Sequence, residues 1–188
     1  AADNWNYGLQ KATGRYLILM HHDEEMGSDD YLRRIEQQME TGADLVISQV
    51  AVNVNGQKKR QHYKPSLKNY ICKHPTLLFL QNVIGPCACL AFRSDQMQSF
   101  NPDLRWLVDV EWYYRMLKGR KPVCIHTLTM LSHHGHESQI SHTINVKEAF
   151  LSDKSILLHL YRQNWQVRCM LAIYHHLILN IKQRFVRL

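Results

Sequence analysis

Apolar and polar positions alternate along this chain with two different periods. Residues 3–13 read as a short helix closed by Gly14. Residues 16–20 form an uninterrupted apolar run of strand length that ends abruptly in His21-His22-Asp23-Glu24-Glu25. Ser28 is placed to cap a second helix, with Asp29 and Asp30 in its first turn, that runs to about Glu40 and stops at Gly42. Residues 43–54 are β-rich and lead into an Asn55-Gly56 turn signal. The basic, polar stretch 57–68 predicts a loop, and 76–81 a short helix. Residues 88–92 read as a buried strand after Gly85-Pro86, 106–118 as a helix ended by Gly119, and 123–128 as another strand. Residues 132–142 form a polar, His-rich loop. From Val146 onward the pattern is helical.

Strands alternating with helices predict an α/β fold with a largely parallel sheet. With 188 residues, 45% of them hydrophobic, and only 8 Gly and 5 Pro, the chain has the makings of a real core and not of a disordered segment. Its five cysteines are odd in number and contain no Cys-x-x-Cys pair, which fits a reducing compartment better than a disulfide framework. The longest stretch near the C-terminus without a charged side chain is the 13 residues 169–181. That is short of the ~20 needed to span a bilayer. The net charge is +7, and residues 146–188 carry seven Lys/Arg against two Asp/Glu, so most of the excess lies there. An anionic partner follows from that balance.

Three constellations can carry chemistry. The acidic and imidazole groups of residues 21–25 fall at a strand end, where open α/β sheets bind ligands, and can hold a divalent cation. The alternative is a solvated acidic turn that starts a helix. On the helix over 106–118, Glu111 and Arg115 are four apart, which reads as a surface ion pair worth a few tenths of a kcal/mol. Asp109 lacks such a partner and neighbours Trp112 and Tyr113; desolvation there would raise its pKa and suit a general base. A plain first-turn helix acid is the competing explanation. The third cluster, His133-His134-Gly135-His136, can supply a metal ligand or a phosphate contact, although twelve histidines make chance clustering easy. A structural zinc site with Cys87, Cys89 or Cys124 is disfavoured, because Cys-x-Cys departs from the usual ligand spacing.

The order of these features is more specific than any one of them. Asn6-x-Gly8, Ala12-Thr13-Gly14-Arg15-Tyr16, the apolar strand and the acidic turn come first. Gly85-Pro86 before Ala91-Phe92-Arg93, then Phe100-Asn101-Pro102-Asp103-Leu104, Asp109-x-Glu111 with Arg115, and the His-rich loop follow. Over roughly residues 3–142 this series resembles the family 2 glycosyltransferases of the GT-A fold. The resemblance implies a Rossmann-like mixed, mainly parallel sheet flanked by helices, with residues 1–145 as the catalytic domain. Residues 146–188 would then be a C-terminal helical extension, amphipathic and basic. It also implies that the family's N-terminal nucleotide-binding strands do not precede Asn6, as in the remainder of a longer enzyme.

Aligned with the family's Asp-x-Asp motif, His21 takes the first position, a departure, and Asp23 the second, with Glu24 next. Asp23, His21 and His136 are the metal ligands that the resemblance implies, for Mn²⁺ or Mg²⁺, with His134 as the fallback for His136. The family's Glu-Asp pair falls on Val108-Asp109, which implies Asp109 as catalytic base although the Glu is replaced. Donor contacts are implied for Asn6, Gly8, His21, Glu24 and His134, and acceptor contacts for Gly85, Glu111 and Trp112. The implied reaction is an inverting transfer from a nucleotide-sugar to a glycan or lipid-linked acceptor, in assembly of a bacterial surface polysaccharide or lipopolysaccharide. The implied setting is cytoplasmic.

Residues 146–188 repeat Ile156, Leu160, Val167, Leu171, Tyr174, Ile178, Ile181, Phe185 and Leu188 at mostly helical spacing beside Arg162, Arg168, Lys182, Arg184 and Arg187. Such a segment can lie on the inner face of an anionic membrane, pack on the catalytic domain, or pair with another subunit in a homo-oligomer. Two rival functions remain. One is a non-catalytic scaffold, favoured by the loss of the first Asp and of the Glu before Asp109. The other is a nucleic-acid-binding module using Lys58-Lys59-Arg60-Gln61-His62-Tyr63-Lys64, but no nucleic-acid motif accompanies it, and no nucleic acid is expected as partner.

Overall fold

The computed structural model describes residues 2–54, 57–60, 63–134 and 145–185. Among the described residues the helices are α1 (Ala2–Lys11), α2 (Tyr31–Glu40), α3 (Pro65–Lys73), α4 (Val108–Leu117), α5 (Val146–Leu160) and α6 (Trp165–Phe185). Strands are β1 (Tyr16–Ile18), β2 (Glu24–Met26), β3 (Leu45–Val54), β4 (Gln57–Arg60), β5 (Leu90–Arg93) and β6 (Pro122–His134). Short 3₁₀ turns at Pro75–Phe79 and Cys87–Cys89 precede β5.

The apolar run of β3 makes it the central strand, with Leu45, Val46 and Ile47 fully buried. The sheet order is β1-β5-β3-β6-β2, and β4 pairs with the far half of β3. The α/β class and the mixed sheet agree with the sequence reading, but the mainly parallel pairing does not. Among the described strands only β3–β6 is parallel, while β1–β5, β3–β5, β3–β4 and β2–β6 are antiparallel. The reason is connectivity: β4 follows β3 directly, a tight link that only antiparallel neighbours allow. β2 likewise enters the sheet against β6 rather than continuing from β1.

Several local expectations are corrected. Glu24 and Glu25 belong to β2 instead of an open turn. Residues 57–68 hold β4 and the start of α3, whose Pro65 sits in the first turn, where its missing N–H costs nothing. Ser28 does not cap α2; its hydroxyl donates to Asp30 Oδ1 at 2.7 Å. β6 also runs beyond residue 128 to His134, so residues 132–134 are strand. Residues 135–144, including His136, lie outside the described residues.

Helix α2 buries Tyr31, Ile35 and Met39 at four-residue spacing, the stripe its sequence predicts. Helix α4 is buried nearly all round, its charged Glu111 included, and Gly119 beyond it takes φ +75°. Helices α5 and α6 join the same core through Phe150, Leu157, Val167 and Leu171. Their polar groups reach α4 as well. Asp153 of α5, fully buried, accepts from the backbone N–H groups of Arg105, Trp106 and Leu107 at 2.7–3.2 Å. It thereby satisfies donors at the entry to α4 that no side chain of α4 itself caps.

Candidate active site

The short strand β1 delivers the chain to His21, Asp23 and Glu24, whose ligand atoms all lie within 4.8 Å of one another. The Glu24 side chain is only 2% exposed and is committed to His21. It accepts from the His21 backbone N–H at 2.7 Å and from the ring Nδ1 at 3.1 Å. That hydrogen bond is the main reason the His21 pKa is raised, against a smaller opposing effect of burial. The far ring nitrogen, Nε2, is buried with no hydrogen-bond partner. A carboxylate holding one imidazole nitrogen while the other points away is the usual support of a metal-ligating histidine. The donor set fits Mn²⁺ or Mg²⁺: His21 Nε2 and Asp23 would hold the ion, with Glu24 orienting His21.

Trp5 of α1 covers His21, with ring centroids 5.0 Å apart, and also meets Phe100 edge-on. Asn6 fixes that arrangement: its amide donates to the Phe100 carbonyl at 2.9 Å and accepts from the Phe100 N–H at 2.7 Å. Asn6 is thus a clamp between α1 and the loop before α4, and its amide is used there instead of on a donor. Gly8 is exposed on α1, with nothing near the position a Cβ would take.

Asp109 stands in the first turn of α4, half-buried. Desolvation pushes its carboxyl up to about 6, opposed by hydrogen bonds from the backbone and from Asn82 and by the charge of His21. Asp109 and His21 therefore interact electrostatically, which relates the His21-Asp23-Glu24 group to the acid on α4. Val110 N–H donates to Asp109 Oδ1 at 2.8 Å, and Asn82 Nδ2 donates to Oδ2 at 3.0 Å.

Asn82 is held in turn, because its Oδ1 accepts from the N–H groups of Ile84 and Gly85. Gly85 has φ +104°, and a Cβ there would come within 3.0 Å of Val50. Its carbonyl accepts from Asn82 and from the buried Tyr113 hydroxyl, so Gly85 shapes the site from within. A pocket of about 370 Å³ opens over Asp109 and Asn82, walled by Gln81, Trp106, Leu107 and Tyr174.

Other residues expected from the sequence take different roles. Trp112 is fully buried, stacked on Phe100 with its indole N–H on the Gln98 carbonyl, and Glu111 is 1% exposed. Neither offers surface to an acceptor. Glu111 and Arg115 form a two-bond pair at 2.7 and 2.9 Å inside the fold, rather than a surface pair, and the Tyr161 hydroxyl adds a third bond at 2.6 Å. His134 bonds Ser132 Oγ at 3.1 Å and is not among the metal-holding group found in the described residues. Its neighbour His133 meets the acidic turn instead, donating its backbone N–H to the Asp23 carbonyl at 2.8 Å and placing its ring 3.1 Å from Glu25.

Sequence reasoning missed Trp5, Asn82, Tyr161 and Asp153. Of these Asn82, three residues before Gly85, has a local signal, a short polar break in an apolar stretch. The family model described as glycosyl transferase family 2 matches residues 1–97, from α1 through β5, and so covers the acidic turn and Asn82 but ends before Asp109. No curated protein matches the chain.

Proposed function

Since the chain belongs to glycosyl transferase family 2, we propose that it is an inverting, metal-dependent enzyme whose catalytic base is Asp109. The observation that carries this reading is the desolvated Asp109 carboxylate, fixed by Asn82 and Val110, lining a pocket and interacting electrostatically with His21 of the His21-Asp23-Glu24 cluster. With a pKa of about 6 it is mostly ionised at neutral pH and still basic enough to take a proton.

The donor in this reading is a nucleotide-sugar and the acceptor a glycan or a lipid-linked sugar. A divalent cation bound by His21 and Asp23 would neutralise charge on the departing diphosphate. Asp109 accepts the proton of the acceptor hydroxyl as that oxygen forms its bond to the anomeric carbon. The bond to the diphosphate breaks on the opposite face, and its electron pair leaves with the nucleotide. One such displacement inverts the configuration. The rigid setting of Asp109 contributes by orientation, since its carboxylate needs no rearrangement to meet the hydroxyl. Assembly of a bacterial surface polysaccharide or lipopolysaccharide is the process that suits these substrates, with residues 146–188 in peripheral contact with the inner membrane face.

Thermal unfolding with a panel of nucleoside diphosphates and nucleotide-sugars, with and without Mn²⁺, tests the donor site. Binding to the native state raises the midpoint by mass action. The expected result is a rise that needs both Mn²⁺ and one nucleotide and disappears in Asp23→Asn. No rise with any pair, in a protein that unfolds cooperatively, would favour the non-catalytic scaffold.

A further inference from the structure

We propose that the elbow between α5 and α6, with the outward face of α6, docks on an anionic lipid bilayer. Trp165 is 69% exposed and Leu160 51% exposed. They border a groove of about 700 Å³ that also presents Lys118, His159 and Arg162 and has no carboxylate in its lining. An indole left in water forfeits a large apolar area, whereas at a bilayer interface its ring and its N–H are both accommodated. The elbow is held rigid: Asn164 accepts from the Val167 N–H at 3.2 Å and donates to the Tyr114 hydroxyl of α4 at 2.7 Å.

Helical spacing continues the surface along α6. Trp165, Cys169, Ala172, Ile173 and Leu177 are exposed, while Val167 and Leu171 point into the core. The 21 residues of α6 include no Asp or Glu, and Arg162 and Arg168 flank the exposed side. Charge selects the occupant. A second copy meeting this face would set cations against cations, whereas anionic headgroups neutralise them. A nucleic acid would satisfy the arginines but leave Leu160, Ile173 and Leu177 in water.

The same helix turns Tyr174, about half a turn away from Trp165 around the axis, toward the pocket that holds Asp109. One helix, about 10 Å across, would separate the lipid surface from the base. That placement suits an acceptor carried on a lipid, and this clause alone rests on the glycosyltransferase reading.

The test is co-sedimentation of the full chain with phosphatidylcholine vesicles, with and without phosphatidylglycerol, over a range of salt. Binding is expected only with phosphatidylglycerol, weakening as salt rises. Arg162→Ala should bind about fivefold more weakly, as the loss of one cation near an anionic surface predicts. Trp165→Ala should lose about tenfold through its apolar area, with an unchanged melting midpoint because both sites are exposed. Brominated lipid should quench fluorescence in the parent and not in Trp165→Phe. Equal binding to both vesicle types, no binding, or variants that bind like the parent would overturn the docking. So would an oligonucleotide shift weakened by Arg162→Ala but not by Trp165→Ala. Retained stabilisation by Mn²⁺ and nucleotide in Trp165→Ala would keep any such failure separate from the catalytic reading.

Discussion

The carboxyl of Asp109 should leave its mark on stability before any substrate is known. Its pKa rises from an ordinary 3.8 to about 6 because burial disfavours the charged form. For a carboxyl raised on folding, the contribution to stability is greatest below pH 3.8 and is lost as pH climbs through about 6. Between about pH 4 and pH 8 that loss amounts to about 2 to 3 kcal/mol. Asp109→Asn removes the titration while keeping the shape. The variant has its own fixed penalty, because its amide cannot both accept from Val110 and accept from Asn82, and Asn82 is prevented from turning by its bonds to Ile84 and Gly85. That penalty, about 1 to 3 kcal/mol, does not vary with pH and cancels when each protein is compared with itself.

Urea unfolding of both proteins at a series of pH values from about 4 to 8 is the assay. The difference in unfolding free energy should move by about 2 to 3 kcal/mol in favour of Asn across the series, with its midpoint between about pH 4 and pH 6. Sugar transfer by Asp109→Asn should fall by about 10² to 10⁴. The parent's rate should rise with pH through about 6. A pH-independent stability difference would refute the desolvation argument, and surviving transfer would refute the base.

Two further predictions concern how α4 is held. Arg115→Met leaves Glu111 buried with only the Tyr161 hydroxyl and should cost about 3 kcal/mol, read as a lowered urea midpoint with an unchanged m-value. Asp153→Ala strips the entry to α4 of its acceptor, and a loss of about 2 to 4 kcal/mol is expected in the same assay. Stability within about 0.5 kcal/mol of the parent, the level of an ordinary surface change, would show that these bonds do not anchor the helix.

The α/β pattern, the helices over α2 and α4, the strand over β3 and the acidic run after β1 could all be read from the sequence. Each is encoded by neighbours: apolar periodicity, a glycine stop, or a charged run against an apolar one. So was the apolar setting of Asp109, since Trp112 and Tyr113 lie on its own helix. Partners from distant parts of the chain were not legible. Glu111 read as a surface pair because its spacing to Arg115 is local, while its third bond comes from Tyr161, 50 residues on, in a helical region packed over it. Asn6 read as a donor contact, yet its amide is consumed by Phe100, 94 residues away. Strand direction was hidden as well, because alternation of elements does not state which edge a short strand joins. Local periodicity thus determined the elements and marked the acidic turn and Asp109. Only tertiary packing decided which polar groups are spent on holding the fold, which, like His21 Nε2, are buried without a partner, and which, like Asp109, line the pocket.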